Sequence, residues 1–360
     1  MRLAAFYQGT QYRGIWTGNG DKDRRRRQEL FKAIADAGRH GLPVGRYDAK
    51  GLKAKMKAAR SPRERGLVEV ELSKTFLQLA RDMQTGAVVP GKVDNGIKRA
   101  VPYRNRVSYL TSFAKSSPRN FFRSLPPRTN EYARLMKEKI KLEKRIAQGG
   151  WGQKVPAKSL KPGASGNAVV VLRNRLIAMG YMRRSSTQSY DGAIQKAVQQ
   201  FQQDNGLNPD GVAGPGTMVE INKPAQYRLQ SVIVAMERER WMNQPRGERH
   251  VLVNLTDFSA RIVDNDRVSF QTRAVVGKNV HDRRSPEFSD VMEFMVINPT
   301  WNVPRSIAVK EYLPMMKRNP NAAGHLKLYN SSGRVVSRAN IDFSVFNERN
   351  FPFDIKQPPS

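Results

Sequence analysis

The 360-residue sequence contains no cysteine. Disulfides, thiolate metal sites and a Cys nucleophile are therefore excluded within these residues. Histidine is scarce as well. His40, His250, His281 and His325 are scattered, without H-x-x-x-H or H-E-x-x-H spacing, so a zinc site is not expected. No metal or organic cofactor is implied. Long apolar runs are missing too: none approaches the ~20 residues that span a bilayer, so no transmembrane helix is expected. The opening MRLAAFYQGTQYRG has no apolar h-region, and no signal peptide is expected in the chain as given.

Acidic residues are few. Against 63 Lys and Arg there are 31 Asp and Glu, a formal charge of +32. Residues 1–150 hold 34 basic and 13 acidic residues, and residues 151–360 hold 29 and 18. Such a field favours polyanions: nucleic acid, an acidic membrane, or an anionic cell-wall polymer. Charge alone does not choose among them. Hydrophobic residues at 39% and charged residues at 26% describe a globular chain, long enough for two or three domains.

Along residues 1–150 the apolar spacing is helical. Gln28–Ala37 carries Leu30, Phe31, Ile34 and Ala37, and His40-Gly41-Leu42-Pro43 stops it. Val70–Met83 repeats the pattern and ends before Val88-Val89-Pro90-Gly91. Glu131–Ile146 places Tyr132, Leu135, Met136, Ile140, Leu142 and Ile146 on an apolar face, with Lys and Arg opposite. Residues 149–163 are rich in Gly, Pro and Lys and read as a linker, with Trp151 as a packing anchor. Residues 160–222 predict three helices on one small core: Asn167–Met179, Tyr190–Gln203, and a short helix opened by Gly214-Pro215. Asn205-Gly206 suits a C-cap and Asp210-Gly211 a turn. Tyr227–Met242 is a further amphipathic helix. From Arg249 the period becomes that of strands. His250–Leu255, Ala260–Val263 and Val268–Val276 follow, with Asp264-Asn265-Asp266-Arg267 as a hairpin turn. Met292, Phe294 and Val296 alternate ahead of Asn298-Pro299. Ser306–Met316 is helical in pattern, and Lys327–Tyr329 and Val335–Val336 flank a second hairpin.

The middle unit resembles the peptidoglycan-binding three-helix module. Leu160, Gly163, Gly166, Val169 and Leu172 recur at its spacing, followed by Leu176, Gly180-Tyr181, Ala197-Val198, Phe201-Gln202, Gly206-Leu207, Asp210-Gly211-Val212, Gly214-Pro215 and Thr217. The last segment resembles the start of an L,D-transpeptidase catalytic domain, through Val251-Leu252-Val253-Asn254, Ala274-Val275-Val276-Gly277-Lys278 and Asn298-Pro299-x-Trp301-x-Val303-Pro304. Residues 330–338 and 351–359 are similar to the capping subdomain of the large, scaffolded members of that family. Trp16-Thr17-Gly18-Asn19-Gly20, His40-Gly41-Leu42-Pro43 and the stretch from Phe76 to Pro90 are similar to their helical scaffold.

The resemblance implies a multidomain α+β fold. Its parts are a helical scaffold over 1–150, a linker over 151–163, a peptidoglycan-binding domain over 160–224, a bridging scaffold helix over 225–245, and the N-terminal part of a transpeptidase catalytic domain over 246–360, with a capping subdomain at about 307–355. It implies acyl transfer from tetrapeptide stems through a Cys thioester, giving 3→3 cross-links, in the periplasm or cell envelope. The family acts through a Ser-His-Gly-Cys motif. That Cys and its His are expected after Ser360, and the chain as given is expected to be truncated and inactive alone. Trp301, Asn298 and Tyr329 are candidates to border the substrate cleft. Tyr190, Asp210, Gly211 and Thr217 are candidates to touch peptidoglycan, although capping and turn roles suit Asp210 and Thr217 better. The expected partners are glycan strands and stem peptides, with other anionic envelope polymers. A non-catalytic wall-binding protein is the alternative. A nucleic-acid binder, motivated by the charge and by Arg24–Arg27, is a further one, although no nucleic-acid-binding signature accompanies it.

Overall fold

The computed structural model describes residues 2–280 and 283–359, so His281 and Ser360 lie outside the described residues. Contacts divide the chain into two compact units, residues 1–289 and 290–360.

The first unit begins with helices α1 (Arg2–Gly9), α2 (Asp21–Asp36), α3 (Ala49–Ala58), α4 (Pro62–Thr85), α5 (Pro90–Val93), α6 (Arg106–Lys115), α7 (Pro118–Ser124) and α8 (Asn130–Ala147). Helix α2 starts seven residues before its apolar stripe, because Asp21 and Asp23 in its first turn complement the helix dipole. The Arg24–Arg27 run is therefore helical, and half of it turns inward. Arg26 Nη2 donates to the Ala114 carbonyl at 2.8 Å, and Arg27 Nη1 to the Gly18 carbonyl at 2.9 Å. Helix α4 opens on a capping box: Ser61 Oγ accepts from the Glu64 amide, and the Glu64 carboxylate accepts from the Ser61 amide.

The scaffold core is aromatic. Trp16 stacks on Phe113 at 5.1 Å, and Phe76 meets Phe113 at 4.5 Å. The turn that delivers Trp16 is tied by Glu69, a buried carboxylate on α4. It accepts from the Ile15, Trp16 and Thr17 amides and from the Tyr7 hydroxyl. A buried carboxylate is tolerable only when its lone pairs are filled in this way. Trp16 Nε1 then donates to Ser73 Oγ, one turn along, at 2.8 Å.

Helices α9 (Asn167–Met179), α10 (Gly192–Asp204) and α11 (Pro215–Ile221) form the small core anticipated between residues 160 and 222, and α12 (Ala225–Trp241) follows. Helix α9 coincides with its sequence pattern. Helix α10 starts two residues later than its stripe, because Asp191 is its N-cap and accepts from the Ala193 and Ile194 amides. Helix α12 packs along α8, so the three-helix module loops out between two helices that touch each other.

The base of the loop is clamped. Arg175 on α9 is 2% exposed. It donates to the carbonyls of Gly152 and Gln153 on the incoming chain and of Ile221 and Lys223 on the outgoing chain. Asn222 adds two bonds to the Val155 backbone.

Helix α12 is also keyed into the scaffold. The fully buried Arg240 donates to the His40 carbonyl and the Tyr132 hydroxyl, and pairs with Glu237 at 2.6 Å. Glu237 in turn accepts from Trp241 Nε1 and the Val88 amide. Gly86, which ends α4, sits at φ +92° against this group. A Cβ there would lie 2.4 Å from Glu237 Oε1, so only glycine fits.

Strands β1 (Arg249–Asn254), β2 (Ser259–Asp264) and β3 (Arg267–Arg273) complete the unit as an antiparallel sheet, ordered β1-β2-β3. Asn265 and Asp266 turn the expected hairpin with positive φ. The chain then crosses the scaffold. Glu287 exchanges backbone bonds with Gly96 and Lys98, and its carboxylate pairs with Arg238 at 2.5 Å.

In the second unit, residues 291–297 form no strand, and their side chains are exposed. Alternation becomes a strand only when a neighbouring edge takes up the backbone bonds. Strands β4 (Trp301–Asn302), β5 (Lys327–Tyr329), β6 (Val335–Val336) and β7 (Asp354–Gln357) form a sheet ordered β4-β7-β5-β6, all antiparallel. The helical stretch Arg305–Arg318, with a π-turn at Ala308–Tyr312, packs Leu313 and Met316 against Leu328, Phe343, Phe351 and Ile355.

Candidate functional site

The four module residues proposed to touch peptidoglycan are brought together, and they are joined to one another. Gln202, buried on α10, donates to Asp210 Oδ1, the Val212 carbonyl and Thr217 Oγ1, and accepts from the Gly211 amide at 2.9 Å. Tyr190 donates its hydroxyl to the Gly211 carbonyl at 2.9 Å. Tyr190 and Thr217 are buried, and burial pushes the Tyr190 phenol well above its ordinary range. A Cβ on Gly211, at φ +73°, would meet Gln195 Cγ at 2.7 Å. The cluster thus locks the turn between α10 and α11. Of the four, only Asp210 stays exposed, its carboxylate held below the usual range by the Val212 amide and Gln202.

An open cleft lies instead on the seam between the module and the helices that carry it. Its volume is about 350 Å³. Leu135 and Leu142 come from α8, Val232 from α12, and Trp151, Tyr181 and Phe201 from the linker and module. Tyr181 meets Phe201 edge-on at 5.4 Å. Its hydroxyl bonds to Asp204, and burial beside that carboxylate pushes the phenol up to about 12. Trp151 Nε1 is buried without a hydrogen-bond partner. An unmet indole N–H among aromatic faces, with Asp204, Asn205 and Arg228 at the wall, suits a ligand with apolar faces and polar edges. By its sequence Trp151 reads as a packing anchor in a linker. Nothing in a Gly-Pro-Lys stretch announces that α8 and α12 close around it.

The three residues proposed for the catalytic cleft fall in the second unit. Trp301 pairs with Gln357, while Tyr329 pairs with Asp354. Counting along β7, Gln357 shares a face with Ile355, and Asp354 lies on the other. Trp301 and Tyr329 therefore stand on opposite faces of the sheet. Lys356 covers the Tyr329 ring at 5.0 Å. Trp301 is 41% exposed, and Asn298 turns the chain before it at φ +51°.

Three segments match known families. Residues 1–138 match a scaffold domain, residues 165–221 a "Putative peptidoglycan binding domain", and residues 248–351 an L,D-transpeptidase catalytic domain. A "Putative L,D-transpeptidase" of Haemophilus influenzae is 27% identical over 126 residues, which cover 34% of this chain and 25% of that protein. The chain thus matches about a quarter of the length of that curated relative. These matches define a chain of several domains. The chain carries, in order, a scaffold domain, a peptidoglycan-binding domain and L,D-transpeptidase catalytic-domain sequence, the order that the resemblance implied. A segment matching a peptidoglycan-binding domain and a segment matching an L,D-transpeptidase catalytic domain thus occur in one chain. No helix among the described residues is long and apolar enough to cross a membrane.

Proposed function

We propose that these residues hold peptidoglycan for L,D-transpeptidase chemistry in the periplasm, and that they do not turn over substrate by themselves. The observation that carries the first half is the seam cleft. An aromatic, partly polar groove with an unused N–H donor sits where the peptidoglycan-binding module meets its carrier helices. Glycan or stem peptide would lie against Trp151 and Tyr181, with Asp210 at the exposed turn as a second contact. The second half rests on composition. A thioester needs a thiolate, and the sequence has no cysteine. Trp301, Asn298 and Tyr329 are proposed to border the stem-peptide path, with Trp301 and Tyr329 serving different faces of the sheet.

The test is co-sedimentation of the full 360-residue chain with purified sacculi across a salt series, with cross-linked products followed by mass spectrometry. Binding is expected to persist above 300 mM salt, roughly beyond the reach of surface charge, with no 3→3 product formed. Trp151→Phe removes the N–H and keeps the packing. It is expected to weaken binding about fivefold, the worth of one hydrogen bond. Binding that vanishes with salt and ignores Trp151 would instead mark simple charge attraction by the +32 surface.

A further inference from the structure

The scaffold domain has a second cleft, of about 590 Å³, and all its lining residues lie between Glu29 and Lys137. It therefore shares no side chain with the module. Helices α2, α7 and α8 build it, and helical spacing aims their side chains. Arg119 and Arg123 lie one turn apart on α7, as do Ala133 and Lys137 on α8. Six cationic residues line it (Lys32, Arg39, Arg119, Arg123, Arg128 and Lys137) against two acidic ones, Glu29 and Asp36. Arg39 is shared with Asp36 at 4.0 Å. The other five cations have no ion pair or hydrogen bond among the described residues.

This differs from the guanidinium groups that build the fold. Arg26, Arg27, Arg175, Arg240 and Arg338 all donate to backbone carbonyls. The floor of the cleft is apolar, from Ala33, Met83, Phe122, Pro127 and Met136. The five side chains are exposed, so their mutual repulsion is screened by water and salt, and together they set up a local positive field that attracts an anion. A guanidinium fork pairs a carboxylate or a phosphate two oxygens at a time, but a phosphate monoester carries up to two charges and a third acceptor oxygen, so one group can bridge two forks.

We propose that this cleft binds the phosphate group of an amphiphile, with the phosphate among Arg119, Arg123 and Arg128 and the adjoining apolar part against Phe122 and Met136. This goes beyond wall binding and stands whether or not the seam cleft takes glycan. The ligand chemistry has two sources, a soluble phosphate ester or a phospholipid headgroup, and the test separates them.

The full chain is titrated calorimetrically with dihexanoylphosphatidic acid below its micellar concentration, with inorganic phosphate, and with hexanedioate. Co-flotation with phosphatidylcholine vesicles, with and without one-fifth dioleoylphosphatidic acid, is measured in parallel. The soluble ester is expected to bind at least about tenfold more tightly than phosphate or hexanedioate, a difference of ~1.4 kcal/mol. Flotation with the acidic vesicles alone would assign the headgroup as the source. Binding of the ester without flotation would assign the soluble ester. Arg119→Ala with Arg123→Ala is expected to weaken binding at least about tenfold. Arg63→Ala with Arg65→Ala, the same charge change on the exposed first turn of α4, is expected to cost less than about threefold. Lys32→Gln with Lys137→Gln repeats the test if the α7 variant melts early. Equal losses in the cleft and control variants would overturn the proposal, as would equal binding of hexanedioate or no binding of any phosphate probe.

Discussion

The three-helix module and the β1–β3 sheet are similar in apolar content and opposite in closure. In the module, Val169, Leu172, Leu176, Ile194, Val198 and Phe201 are all within 2% of full burial. In the sheet, Val251, Val253, Val268 and Phe270 are each about half exposed. The difference lies in range. Helix contacts come from residues three and four apart, so each stripe exists before it packs, and three stripes then close a small core. A strand offers one face per two residues and needs a second layer to cover it. Buried polar groups mark the same contrast. The module spends Arg175 and Gln202 on closing its own ends, whereas the sheet's ion pairs, such as Arg249 with Asp264, lie on its surface.

Breaking the clamp should show the largest effect. Arg175→Ala strands four carbonyl partners and leaves a cavity, and is expected to cost about 4 kcal/mol. Hydrogen exchange should rise across residues 155–221 while α4 stays protected; uniform loss across the chain would deny the module its independence.

The scaffold supplies a pH-dependent counterpart. Burial, then the neighbouring Arg240, Arg39 and Lys139, lower His40 to about 4, against Asp36, which raises it. The unfolded chain takes up a proton near 6.5. Its stabilisation is therefore complete above pH 6.5 and is lost as the pH falls from 6.5 to 4, by about 3 kcal/mol. His40→Asn should flatten that slope in urea titrations at pH 7 and 4.5. Asp82, raised by burial despite Arg46, acts in the opposite sense and cancels in the comparison. An unchanged slope would remove His40 as the source.

Gly86→Ala should cost about 2 kcal/mol, through positive φ and the contact with Glu237, read from the melting temperature. The smallest effect belongs to the sheet. Phe270→Ser should change stability by less than about 0.5 kcal/mol and reduce aggregation in light scattering. A large loss would mean that the sheet face is covered after all.

Much of the fold was legible. The stripes of α4, α8, α9 and α12 and the Asp264–Arg267 turn were all visible, because periodicity and turn chemistry act over a few residues. Helices α1, α3, α6 and α7 were not singled out. They are short, and their apolar residues face a core assembled from the whole scaffold. The alternation of Met292, Phe294 and Val296 pointed to a strand that does not form.

The candidate sites divide along the same line. The resemblance to the three-helix module singled out Tyr190, Asp210, Gly211 and Thr217, and composition alone excluded thiol chemistry within these residues. Only the tertiary structure decided that Gln202 binds that cluster internally, that Trp151 faces a cleft between α8 and α12, that Trp301 and Tyr329 lie on opposite faces, and that five cations without an ion pair among the described residues line one scaffold cleft. Each of those outcomes depends on partners brought from elsewhere in the chain, such as Arg240 on His40 across 200 positions. Local sequence sets which face of an element is apolar; which other element meets that face is set by packing.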